Sequence, residues 1–417
     1  MKRCSLLLAA ALCGCGSGAT DSHGPYPAPH PPMPQVQSQQ GPVMTAPRLV
    51  PLSFQGDPLA DAVDAFVAQL VADTSYWSGA TAEYGVGPLS TVPPLHVAEA
   101  APATLTDAQV QAWLTAKIMA GAVPRPNENT IYTIFYPQGT AVTLGSGTLC
   151  QDSAGGFNGY HGDFVFIGTG FVAPVSYAVI GRCPPPVKSA SAMDMVSGEA
   201  SHEIIEAATD PRPMTRPAYD SIDPDGQGWA LIAGAEVGDL CDGFPDSFYK
   251  PSGIDTLVQK VWSNAAAKAS HDPCQPQGAS PYFNAAVVVT DTISIADPQG
   301  LVAPVQTKGV AIPVGSERDV ELDLYSDGPT SGAWTLFPQD MGFSVGATTA
   351  TLSFSFRDPL PCAAMWGAGA SCGQGQNGDK VHLRIKALAK SPLGVSPFWI
   401  LSTLGAHHAV WTGLVGN

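Results

Sequence analysis

Ser201-His202-Glu203-Ile204-Ile205-Glu206-Ala207-Ala208-Thr209-Asp210-Pro211 is the stretch on which the reading of this chain turns. His202 and Glu206 stand four residues apart, so a helix brings both to one face, with Glu203 beside them. Two ligands at i and i+4 with a glutamate between them is the geometry of a helical zinc site. There the metal activates a water and the glutamate takes its proton. In the common form of the pattern the second ligand is a histidine, whereas here it is Glu206. A carboxylate adds negative charge to the site and suits oxygen-preferring ions such as Mn²⁺ as well as Zn²⁺.

The surroundings of this run predict a buried helix over 191–208. Ser191 or Asp194 can cap it, and Asp210-Pro211 ends it, because a residue before proline is pushed out of the helical region. Ser197, Gly198, Ala200, Ser201, Ala207 and Ala208 are small and predict close packing. A buried His-Glu-Glu cluster is costly without a compensating cation. A catalytic zinc needs three protein ligands and one open position. Glu236, in Ala235-Glu236-Val237-Gly238-Asp239-Leu240-Cys241, is the expected third. Asp239 is then placed to accept the other ring N–H of His202. Glu203 is the expected general base. His161, in Gly159-Tyr160-His161-Gly162, is the alternative ligand, and Tyr160 beside it is expected to orient a tetrahedral intermediate.

Working outward, the first fifteen residues read as an export signal. Lys2 and Arg3 precede a short apolar run, and Leu12-Cys13-Gly14-Cys15 looks like a lipobox with Cys15 lipidated. Ordinary signal cleavage is the alternative. Residues 16–45 are rich in Pro, Gly, Gln and Ser and predict a flexible tether. Charged residues are only 13% of the 417, and the net charge is −16, which argues against nucleic acid as a partner. Six cysteines remain after the leader: Cys150, Cys183, Cys241, Cys274, Cys362 and Cys372. Fifteen pairings are open, and the one in sequence order keeps each bridge within one structural unit. These features predict an extracytoplasmic protein, lipid-anchored to the cell envelope and touching the membrane only through that lipid.

Periodicity predicts an α+β domain over 46–278 and a second domain over 279–417. In the first, strands are expected near 49–54, 130–136, 163–168 and 175–180. Helices are expected over 57–71, from Thr106 with Gln109 completing a capping box, and through Val258, Val261 and Trp262. In the second, runs such as Val320-Glu321-Leu322-Asp323-Leu324 and Val381-His382-Leu383-Arg384-Ile385 alternate with period two, predicting an antiparallel β-sandwich.

Ser201-His202-Glu203, Glu206, Thr209-Asp210-Pro211 and Glu236-Val237-Gly238-Asp239-Leu240-Cys241 together resemble the exordium-like (phosphate-induced protein) family. They also resemble secreted bacterial proteins with an H-E-x-x-E core, as do Thr130-Ile131-Tyr132-Thr133, Gly159-Tyr160-His161, Tyr177-Ala178-Val179-Ile180 and Pro281-Tyr282-Phe283-Asn284. The likeness covers roughly 43–285. It implies a zincin-like, metallopeptidase-type domain with His202, Glu203, Glu206 and Glu236 at matching positions, and no particular reaction. The functional expectation is a metal-dependent hydrolase, peptidase-like, acting on a peptide or an envelope polymer. The rival is a non-catalytic envelope or surface-binding protein whose metal site is structural, relic or empty.

Overall fold

The computed structural model describes residues 24–151, 156–168, 170–185, 190–296, 303–362 and 371–417. The expected export leader, with Cys15, lies outside these residues. The protein is mixed α+β with several sheets.

A six-stranded sheet organises the first part. Its main strands are β1 (Arg48–Phe54), β2 (Thr130–Phe135), β3 (Gly159–Gly168) and β4 (Phe171–Ile180). The order is β1-β2-β4-β3, with Ser90–Thr91 and Leu95–Val97 pairing on the outer side of β1. β1, β2 and β4 are parallel, and β3 runs antiparallel to β4 at the edge. β1 and β2 are buried along almost their whole length and read as near-continuous apolar runs, as parallel strands covered on both faces do.

Helices cover both faces. α1 (Ala60–Ala72) and α2 (Thr74–Thr81) lie on one side, and α3 (Asp107–Met119) lies on the other with Val110, Leu114 and Ile118 inward. The capping box of α3 forms as expected, with Gln109 N donating to Thr106 Oγ1 and Thr106 N donating to Gln109 Oε1. α4 (Ala192–Thr209) shares the face of α1. It too starts with a capping box: Asp194 N donates to Ser191 Oγ and Ser191 N to Asp194 Oδ2. Every residue from Ala200 to Thr209 is buried. A helix enclosed on all sides must satisfy any charge it carries with groups brought by other elements.

Two expectations change here. The segment through Val258 and Trp262 is not helical. Val258–Gln259 pairs with Phe248–Tyr249, and Val261–Trp262 pairs with Cys274–Gln275. A run of a few apolar residues does not by itself distinguish helix from strand, and the pairing partners decide. The tether expected over 16–45 is, from Gly24 on, packed against the body. Met33, Val36 and Met44 are buried, the His30 ring stacks on Tyr325 at 3.5 Å, and Met44 N donates to Ala208 O at the end of α4. A proline-rich composition reads as loose, but a few apolar side chains and backbone partners are enough to pin an extended strap.

From Phe283 onward the chain forms two sheets, of four and seven strands. All their pairings are antiparallel except that of Val305–Ala311 with His407–Gly416. Their facing sides meet through contacts such as Phe354–Phe398 and Phe283–Trp334. The apolar core is continuous with that of the first part, through Trp229 between Trp262 and Trp411.

The disulfides are Cys150–Cys183, Cys241–Cys274 and Cys362–Cys372, the sequential pairing. Three disulfides fit an oxidising, extracytoplasmic compartment. No helix of the described residues is long and apolar enough to cross a membrane.

Candidate metal centre

Three elements converge on the middle of α4. The helix itself supplies His202, Glu203 and Glu206. The edge strand β3 supplies His161. The loop 234–241 supplies Glu236 and Asp239, and the Cys241–Cys274 bridge ties down its end.

On the helix, the i, i+4 spacing sets His202 Nε2 3.0 Å from Glu206 Oε2, and both side chains are buried. Asp239 Oδ1 lies 3.6 Å and Glu203 Oε1 3.9 Å from the same nitrogen. The other ring nitrogen, Nδ1, is 2.9 Å from Gln259 Oε1. Gln259 is itself fixed, since its Nε2 donates to Gly238 O and its backbone N donates to Ser201 Oγ. The orienting partner of His202 is therefore Gln259. Asp239, expected on Nδ1, faces the Nε2 side, because the short strand Val258–Gln259 packs directly beside α4 and reaches Nδ1 first.

The loop comes close because residue 238 is glycine. A Cβ there would stand 2.8 Å from Glu206 Oε1 and 2.9 Å from His202 Nδ1. The approach lets the backbone N–H groups of Gly238 and Asp239 both donate to Glu206 Oε1, at 3.0 Å each. Glu206 Oε2 is left facing the two imidazoles.

His161, the alternative ligand, lies inside the cluster with only 5% of its side chain exposed. Its Nδ1 is 3.3 Å from Glu203 Oε2 and 3.7 Å from Glu206 Oε2, and its Nε2 is 3.4 Å from Glu236 Oε1. The expected set His202, Glu206 and Glu236 does not close as one triad. Two sets bring their ligand atoms within 4.8 Å of one another: His161, Glu206 and Glu236, and His202, Glu203 and Glu206.

Tyr160 is not part of the centre. Adjacent residues of a strand point to opposite faces. With His161 turned toward α4, Tyr160 turns toward α3, where its hydroxyl donates to Asp107 Oδ1 at 2.8 Å beside Tyr177.

A fifth acid, Glu199, was not singled out from the sequence. It sits one turn before Glu203, against Gly159, where a Cβ would stand 2.8 Å from Glu199 Oε1. Burial, then the charge of Glu203, raises its carboxyl well above the usual range. Its spacing from Glu203 was readable, whereas Gln259 carried no local signal at all.

The electrostatics of the bare cluster are those of crowded acids. Burial opposes a charge on both imidazoles, but the carboxylates around them outweigh it, so both pKa values are well above the usual histidine range. Burial raises Glu206 and Glu236, with the imidazoles opposing. Burial and the neighbouring Glu206 push Asp239 up to about 8. Among the described residues, no Lys or Arg pairs with any of these acids.

The donor set fits a divalent metal on two observations. Ligands about 2.0–2.1 Å from a tetrahedral ion stand about 3.4 Å apart, and the separations here run from 3.0 to 3.9 Å. In addition, His161 Nε2 and Glu236 Oε1 are buried without a hydrogen-bond partner although they face each other. Buried polar atoms in that condition call for a ligand.

Compared with protein-family models and with curated proteins, this chain gives no match.

Proposed function

We propose that this protein is an extracytoplasmic, metal-dependent hydrolase with a zincin-like centre, acting on peptide bonds and held at the cell envelope by a lipid on Cys15. The observation that carries the metal reading is the pair of orphaned buried atoms, His161 Nε2 and Glu236 Oε1, beside a His–Glu pair on one helix face. His202 and Glu206 hold the ion, with Asp239 and Glu203 within reach of the same imidazole nitrogen. Zn²⁺ suits the imidazoles, and the high share of carboxylate favours Mn²⁺ as the competing ion. When bound, the ion supplies Lewis acidity, polarising a carbonyl and making water a better nucleophile.

The chain's own groups do the rest. Glu203 takes the proton of the attacking water and returns it to the leaving amine. His161 Nδ1, 3.3 Å away, fixes the orientation of the Glu203 carboxylate. Gln259 holds the His202 ring in place, the support a ligating histidine ordinarily receives.

The first test is metal content by mass spectrometry of the purified protein and of His202→Ala. Bound metal in the wild type and its loss in the variant are expected. A folded wild type that takes up no Zn²⁺ or Mn²⁺ overturns the reading. The second test compares wild type and Glu203→Gln on a peptide library, with retained metal and lost cleavage expected. Metal in both and cleavage by neither favours the non-catalytic envelope protein instead.

A further inference from the structure

The cluster divides around Glu206, which belongs to both three-residue sets. Its Oε1 is pinned by two backbone N–H groups. Its Oε2 is a single oxygen in a fixed place, 3.0 Å from His202 Nε2 and 3.7 Å from His161 Nδ1. One ion seated between His202 and Glu206 uses that oxygen and has Asp239 and Glu203 within reach of the same imidazole nitrogen. It does nothing for His161 Nε2 and Glu236 Oε1, which face each other at 3.4 Å on the other side. His161 Nδ1 lies 3.3 Å from Glu203 Oε2, while Nε2 and Glu236 Oε1 are buried without a hydrogen-bond partner.

The geometry points to a second cation. Glu206 bridges two divalent ions, one held by His161 and Glu236 and the other by His202, with Asp239 beside it and Glu203 between the two positions. This rests on the metal-centre reading above and extends it from one ion to two. Charge favours the pair. Glu203, Glu206, Glu236 and Asp239 each have an oxygen within 3.9 Å of an imidazole nitrogen, four formal negative charges in a buried volume. Two-metal hydrolytic sites place their ions about 3.5–4 Å apart, and the two ligand sets here share Glu206.

The test is metal stoichiometry and coupling in the purified protein, stripped by chelator and reloaded with Zn²⁺ or Mn²⁺. Equilibrium dialysis with metal analysis is expected to give two equivalents per chain. Electron paramagnetic resonance of the Mn²⁺ form is expected to show an exchange-coupled pair. His161→Ala and Glu236→Gln should each retain one equivalent and lose the coupling. One equivalent in the wild type, unchanged in both variants, overturns the second cation and leaves the hydrolase reading standing. Two equivalents without coupling overturn the bridge through Glu206. No metal in a wild type with native circular dichroism overturns both readings. Should either variant fail to fold, the wild-type stoichiometry and spectrum decide alone.

Discussion

Two regions of this molecule concentrate charge, and they handle it in opposite ways. On the four-stranded sheet, Glu317–Ser326 and Lys380–Ala387 run antiparallel with acids and bases in register: Asp319 faces Arg384, and Asp323 faces Lys380. Lys380 reaches Glu321 and Asp323 at 2.6 and 2.8 Å, and Arg384 grips Asp319 with two bonds. These cations are exposed, so water screens the pairs and each contributes little to stability. Around α4 the acids are buried or half-buried, outnumber the imidazoles, and meet no lysine or arginine among the described residues. The exposed ladder is complete in the polypeptide. The buried cluster is the one we propose a metal completes.

The sharpest way to break that contrast is Glu206→Ala. It removes the residue common to both ligand sets and strips the Gly238 and Asp239 N–H groups of their acceptor. Metal uptake should fall below detection. The melting temperature should drop by an amount matching about 3–5 kcal/mol, the range for breaking a buried charged pair. Retained metal in this variant would refute the assignment.

Next comes the bridge that fixes the loop. Replacing Cys241 and Cys274 together by alanine should cost about 2–5 kcal/mol in a denaturant melt. Metal affinity should weaken with it, because Glu236 and Asp239 lie on the tethered segment. Unchanged affinity would show that packing alone holds the loop.

A smaller effect is expected of Gln259→Leu, which keeps most of the volume but frees the His202 ring. Affinity measured by competition with a chelating dye should fall about 10–100-fold, as for other partners that orient a ligating histidine. Smallest of all, Lys380→Ala on the exposed ladder should leave both metal content and melting temperature unresolved from wild type. Tyr160→Phe should also leave metal content and any cleavage intact, because its hydroxyl serves Asp107 on the far face. A loss of metal in Tyr160→Phe would reopen its place in the centre.

How much of this could be read in advance follows from how local each feature is. The helix α4 was legible because its cap, its small residues and its stop are all in one run of sequence. So were the disulfide order and the alternating strands of the C-terminal part. The position of Tyr160 was half-legible, since period two already sets it opposite His161 in any strand. The packed strap from Gly24 was not legible, because its anchors, among them Asn377 and Ser221, are distant in sequence. Nor was Gln259, which reaches His202 across 57 residues.

The sequence by itself determined the pairing of His202 with Glu206, because helical rise and turn fix that distance whatever surrounds it. Only the tertiary structure decided which acid meets which imidazole. The antiparallel edge register turns His161 inward, and the missing Cβ at Gly238 lets the loop descend onto Glu206. Those contacts depend on how separate elements pack, and no local spacing encodes them.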